Sequence, residues 1–276
     1  MTFQEIINHG IRTATEEEVK LFSENGWVLL RSLLSPECVA LLKTSLVSKV
    51  GANGLQTYHP ARTSMAGWGF NTYGPVAIDN QTGASEEPYL HAFTHSRRIG
   101  YLGAQLMGSP VRYALDQSLI KVPDAKGNND HVYWHQDGPG TPSSPFDFDA
   151  QIKFWIALAP ISPDCGSMRF VHPSNVTHQV REVMCDRSAF PGSINKLESL
   201  GIVSPAISLE AGDVTVHRGS TWHSSLRNTT NSIRWAYAVS VFASSARYTG
   251  NPWWVVNGLR QLREGDLFPD FRFPIL

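Results

Sequence analysis

Val111-Arg112-Tyr113-Ala114-Leu115-Asp116-Gln117-Ser118-Leu119-Ile120-Lys121-Val122, closed by Pro123, is where the chain changes character. From here onward the apolar residues come in short runs cut by Gly, Pro, Asn and Asp, which is the pattern of strands joined by turns. Further runs of this kind lie at 131–136, 151–160, 168–172, 213–217 and 232–242. Many short strands following a helical beginning predict a mainly β fold. The expected architecture is a double-stranded β-helix, a jelly roll of cupin type with flanking N-terminal helices. The open mouth of such a scaffold is a natural place for a ligand or a metal.

Upstream of residue 111 the signals are helical. Thr15 stands three residues before Glu18, as a capping box requires, and Gly26 supplies a C-terminal cap, so residues 16–24 are expected to be helix. Trp27 to Leu30 reads as a short strand. Ser35-Pro36 then offers an N-cap and a first-turn proline for a helix burying Val39, Leu42 and Leu46. A further helix is expected over 96–107. Residues 51–90 are rich in Gly, Asn, Thr and aromatics, with Trp68, Phe70 and Tyr73 in a stretch lacking either period, which predicts a long functional loop region.

At 276 residues the chain fits one well-buried domain, 1–276, better than two. Hydrophobic residues are 42% and charged residues 17%, a globular balance that excludes a disordered or fibrous chain. Net charge is -1 and the longest basic run is Arg97-Arg98, so there is no electrostatic footprint for nucleic acid or an anionic membrane. A small molecule is the expected partner. Cys38, Cys165 and Cys185 show no CxxC spacing, which argues against a zinc ribbon or a disulfide framework and for a reducing compartment. Neither a secretory leader nor an apolar run of about 18 residues is visible. No membrane insertion and a cytoplasmic location are therefore expected.

The chemistry-bearing signal is His131-Val132-Tyr133-Trp134-His135-Gln136-Asp137-Gly138. On a strand, residues two apart share a face, so His135 and Asp137 converge. An imidazole beside a carboxylate is two thirds of the facial triad that holds non-haem iron with positions left open. An isolated pair of this kind more commonly makes ordinary turn hydrogen bonds, so a third ligand has to be found. The segment Gly212-Asp213-Val214-Thr215-Val216-His217-Arg218-Gly219-Ser220-Thr221-Trp222-His223-Ser224-Ser225 brings two candidates, His217 and His223. A strand over 232–242 adds Arg234 on one face with the small Ala236 and Ala238. A guanidinium with room beside it is suited to gripping a ligand carboxylate by two hydrogen bonds, as the far end of 2-oxoglutarate requires. A surface salt bridge on an edge strand is the plainer alternative for Arg234.

Taken together these residues resemble the phytanoyl-CoA dioxygenase family of iron(II)/2-oxoglutarate oxygenases. The likeness runs from Phe22-Ser23-Glu24-Asn25-Gly26-Trp27-Val28-Leu29 and Leu33-Leu34-Ser35-Pro36-Glu37, through Asp116 to Pro123 and Trp134-His135-Gln136-Asp137-Gly138, to His223 with Arg234 eleven residues later. The resemblance selects His223 as the distal ligand and leaves His217 to the core or to a partner of the ligands. It implies Ser225 as a hydroxyl partner of the carboxylate that Arg234 holds. It likewise implies Lys121 near the co-substrate, with Gln117 on the same strand face. The family's turn after its Asn-Gly is altered here, where Asp164-Cys165-Gly166-Ser167-Met168-Arg169-Phe170-Val171-His172-Pro173-Ser174-Asn175 stands, so any family contact around His172 is in doubt. His172 and His178 lack a matched arginine, and loop or core roles are expected for both. Trp155 is expected in the barrel core.

The resemblance implies Fe(II), 2-oxoglutarate and O2, with decarboxylation of the keto acid coupled to hydroxylation or a related C–H oxidation. Trp68 to Tyr73, Trp253-Trp254 and the absence of a basic cluster favour a largely apolar metabolite, such as one of secondary metabolism, over an acyl-CoA. An acyl-CoA hydroxylase is the alternative within the family. A non-enzymatic jelly-roll protein that binds a metal or ligand is the alternative outside it.

Overall fold

The computed structural model describes residues 2–56, 87–121, 123, 132–137, 147–172, 199, 202–251 and 261–276. Two capping boxes start the chain. Thr2 with Glu5 opens α1 (Phe3–Gly10), and Thr15 with Glu18 opens α2 (Glu16–Asn25), which Gly26 ends in the left-handed conformation at φ 71°. Side chain and backbone cap each other reciprocally in both, satisfying amides that a helix end leaves without partners. β1 (Trp27–Leu30) and α3 (Pro36–Gln56) follow, then α4 (Pro88–Thr94) and α5 (Arg97–Met107), whose N-cap Ser96 accepts from the Ile99 amide.

The strands form two antiparallel sheets. In the larger, β1, β6 (Val214–Arg218), β4 (Gln151–Ala157), β8 (Ala236–Ala243) and β2 (Val111–Ser118) lie in that order. In the smaller, β7 (His223–Ser225) sits between β3 (Val132–His135) and β5 (Met168–Phe170). Alternation sorts the side chains of the larger sheet. Ile152, Phe154, Val216, Tyr237 and Val239 face outward and pack with Leu42, Leu102 and Phe93 of the helices in one apolar cluster. Trp155, Ala236 and Ala238 face inward and meet Met168 and Phe170 of the smaller sheet. The expected jelly roll with N-terminal helices is the fold observed.

Three expectations are refined. Both ends of the region expected as loop over 51–90 are helical, since α3 runs through Gln56 and α4 begins at Pro88, and residues 57–86 lie outside the described residues. Proline at the first helical turn and Glu87 accepting from the Leu90 amide start α4, a short helix that an aperiodic neighbourhood hides. Secondly, the strand expected over 111–122 carries a register shift between Tyr113 and Leu115 and then continues less regularly, with Lys121 and Arg234 exchanging backbone hydrogen bonds. Thirdly, His223-Ser224-Ser225, which lies outside the strand runs read from the sequence, forms β7.

Trp68, Phe70, Tyr73, His178, Cys185 and Trp253-Trp254 lie outside the described residues. Cys38 and Cys165 are buried free thiols. Among the described residues no helix is long and apolar enough to cross a membrane.

Candidate metal centre

β3 carries His135 and, just past its end, Asp137; β7 begins with His223. Cross-strand pairing aligns His135 with His223. Ligand atoms of His135, Asp137 and His223 all lie within 4.8 Å of one another, and theirs is the one such group among the described residues. Two imidazoles and a carboxylate converging from a sheet's inner face, with no fourth protein donor among them, are a donor set that fits a divalent first-row metal with open positions.

The protonation pattern fits as well. Nδ1 of His223 lies 2.9 Å from the Thr221 carbonyl oxygen, so Nδ1 donates and the Nε2 lone pair is directed away, 3.8 Å from Asp137 Oδ2. Burial, and then the neighbouring His135 and His217, push His223 well below the usual histidine range, which keeps it a neutral donor. Burial alone would raise the Asp137 carboxyl. The charge of Lys153 and the hydrogen bond from His217 outweigh it and hold Asp137 well below the carboxylate range, so it is an anion.

His217 is not one of the three mutually close donors. Its Nε2 lies 2.9 Å from Asp137 Oδ2, it is fully buried on β6, and its ring sits 4.3 Å from that of His223. That is the position of a group that orients a ligand. His172 stands apart, against Trp27 at 5.7 Å between ring centroids.

Next to the triad, Arg234 crosses over the Trp155 ring at 5.3 Å and is buried. Its Nη1 donates to the Gly166 carbonyl at 2.5 Å and to Ser225 Oγ at 3.4 Å. Lys121, equally buried, donates from Nζ to the carbonyl oxygens of Leu226 and Ser225. Gln117, Lys121, Ser225 and Arg234 therefore line the same ≈ 90 Å³ cavity as the three donors. Trp155 and Met168 give it apolar walls.

Two contributors were not legible in the sequence. Lys153, in the middle of β4, places Nζ 2.6 Å from Asp137 Oδ1. The signal was a lone lysine amid Ile152, Phe154 and Trp155, on the face that turns inward. The other is Gly166, whose carbonyl anchors Arg234 and whose φ is +80°. A Cβ there would meet the Leu226 carbonyl oxygen well inside 3.0 Å. Gly166→Ala therefore combines left-handed backbone strain, roughly 1–2 kcal/mol, with a clash against main chain. A melting temperature lowered by several degrees is expected, together with weaker binding of whatever Arg234 holds; an unshifted thermal unfolding curve would refute this.

The family model for phytanoyl-CoA dioxygenase matches residues 22–236, most of the chain. The chain belongs to the phytanoyl-CoA dioxygenase family. It is accordingly a dioxygenase-type enzyme working with iron and 2-oxoglutarate. No curated protein matches it in sequence. Among solved structures, the non-heme alpha ketoglutarate dependent carbocyclase SnoK from nogalamycin biosynthesis is 22% identical, with 97% of this chain and 99% of that one covered at a TM-score of 0.70. The epimerase SnoN from the same biosynthesis is 22% identical over 94% and 97%, at 0.68. EctD from S. alaskensis is 16% identical over 87% and 82%, at 0.64. At these identities the likeness is one of fold, and it is the fold of the family.

Proposed function

We propose that the chain, acting as a single domain over 1–276, is an oxygenase that binds Fe(II) through His135, Asp137 and His223. It couples decarboxylation of 2-oxoglutarate to oxidation of a largely apolar small molecule. The observation that carries this reading is the convergence of three metal-type donors within 4.8 Å, beside a buried arginine that shares their cavity. When bound, iron supplies the open coordination positions at which the keto acid and oxygen react, and hence the power to oxidise a C–H bond. The protein's own work is positioning. Arg234 and Ser225 hold the distal carboxylate of 2-oxoglutarate, with Lys121 and Gln117 on the strand alongside. His217 and Thr221 fix the orientation of Asp137 and His223. Trp155 and Met168 keep bulk water from the reacting centre.

For the substrate, similar structures favour small molecules: SnoN is seen with Fe3+, alpha ketoglutarate and nogalamycin RO, and EctD with 2-oxoglutarate and 5-hydroxyectoine. The sequence adds the absence of a basic cluster that the phosphates of coenzyme A would require. The family's name favours a second reading, an acyl-CoA hydroxylase.

Both readings are tested by incubating the iron-loaded enzyme with 2-oxoglutarate and paired panels of acyl-CoA thioesters and uncharged terpenoid, alkaloid and polyketide compounds. Succinate release coupled to a product mass shift is the readout. Coupled turnover within the uncharged panel is expected; coupling to thioesters alone would replace the first reading with the second. Absence of succinate under every condition would overturn both.

A further inference from the structure

We infer that Lys153 is a positioning residue that, together with His217, clamps Asp137 and biases the metal centre towards ferrous over ferric iron. The inference rests on the assignment of Asp137 as an iron ligand. Lys153 on β4 and His217 on β6 are direct partners in the antiparallel ladder. Both turn to the inner face of the larger sheet, whereas Asp137 arrives from the smaller one. Each takes a different oxygen of the carboxylate: Lys153 Nζ lies 2.6 Å from Oδ1, and His217 Nε2 lies 2.9 Å from Oδ2. With both oxygens held from one side, the carboxylate has little rotational freedom left.

Fold stability does not explain this lysine. Its side chain is 12% exposed and that of Asp137 is 8% exposed, so desolvating the pair offsets much of their attraction. The neighbours in sequence, Ile152 and Phe154, are fully buried apolar residues. An apolar side chain at position 153 would pack at least as well, provided Asp137 needed no partner.

The consequence is electrostatic. An ammonium on Oδ1 draws negative charge away from the carboxylate and adds a positive charge close to whatever the triad binds, in surroundings that screen poorly. Ferric iron carries one more unit of charge than ferrous and is penalised more by both effects. Lys153 therefore raises the Fe(III)/Fe(II) potential and favours the oxidation state in which the family's reaction begins, while the hydrogen bond itself keeps Asp137 aimed.

The test compares wild type with Lys153→Met, Lys153→Gln and Lys153→Arg. Anaerobic Fe(II) affinity is measured first, then the Fe(III)/Fe(II) midpoint by mediated spectroelectrochemical titration. Met removes the charge, Gln removes it but keeps a donor, and Arg keeps it. We expect the Met and Gln variants to prefer ferric iron at least tenfold more than wild type does, a fall of about 59 mV in the midpoint of a one-electron couple. Lys153→Arg should stay near wild type. Either neutral variant alone suffices should the other fail to fold. An unchanged midpoint in the iron-loaded neutral variants would overturn the inference, and so would an equal fall in all three, which would mark geometry rather than charge. A wild-type protein that binds no iron would overturn the ligand assignment and this inference together.

Discussion

His135→Ala, Asp137→Ala and His223→Ala are each expected to lose most bound iron and all 2-oxoglutarate turnover, whereas His217→Ala keeps iron with a weakened affinity. Each of the first three removes one of only three protein donors, and nothing nearby replaces it, because no fourth donor joins that close group among the described residues. His217 touches Asp137 rather than sharing the donors' common centre. Its loss removes an orienting hydrogen bond, a change that typically costs 10–100-fold in metal affinity. Lys153 still holds the other oxygen of Asp137, which limits the damage. Equilibrium iron binding, measured anaerobically with each variant's folding checked by circular dichroism, separates the two outcomes. Iron lost from His217→Ala and kept by His223→Ala would mean that the distal ligand has been misassigned.

The difficulty of choosing between those two histidines shows which parts of the site a sequence can display. His135 and Asp137 were legible because a strand fixes a two-residue period, and the apolar runs of β4, β6 and β8 were legible because one face of each is core. β7 carries no strand signal. It consists of His223-Ser224-Ser225, three polar residues that are all buried, and such a segment looks like a loop until the cavity they serve is known. Lys153 is hidden for a related reason: a lysine within an apolar run reads as a side chain reaching for water. Only the register that sets it opposite His217, and the smaller sheet folded over it, reveal an inward position. Gly166 acts through its carbonyl and its backbone conformation, neither of which any residue pattern encodes. Helices followed the same division. α2 has enough length for its caps to be read against an apolar period, whereas α1 carries an equally complete capping box on only eight residues, too few to show a period.

Arg234→Leu should retain iron and lose most of its affinity for 2-oxoglutarate. The arginine is buried, and its fork is already aimed by the Gly166 carbonyl, Ser225 and the face of Trp155, so little ordering remains to be done when a carboxylate arrives. A leucine of comparable bulk leaves that carboxylate desolvated without a charged partner, at a cost on the order of 2–5 kcal/mol. The half-saturating concentration of 2-oxoglutarate is then expected to rise by roughly 30- to 5,000-fold. The same substitution strands the Gly166 carbonyl and Ser225 in the interior, which costs about 1–3 kcal/mol of stability, so thermal unfolding has to be followed in parallel. Arg234→Lys separates charge from geometry: it restores the positive charge but not the paired donors, and an intermediate affinity is expected. The measurement is an anaerobic titration of the iron-loaded variants with 2-oxoglutarate, followed by succinate yield at saturating co-substrate. Because His135, Asp137 and His223 are untouched, iron occupancy serves as the internal control. Full occupancy with wild-type affinity for 2-oxoglutarate would remove Arg234 from the co-substrate site and transfer that role to Lys121, a fully buried cation on the same cavity wall.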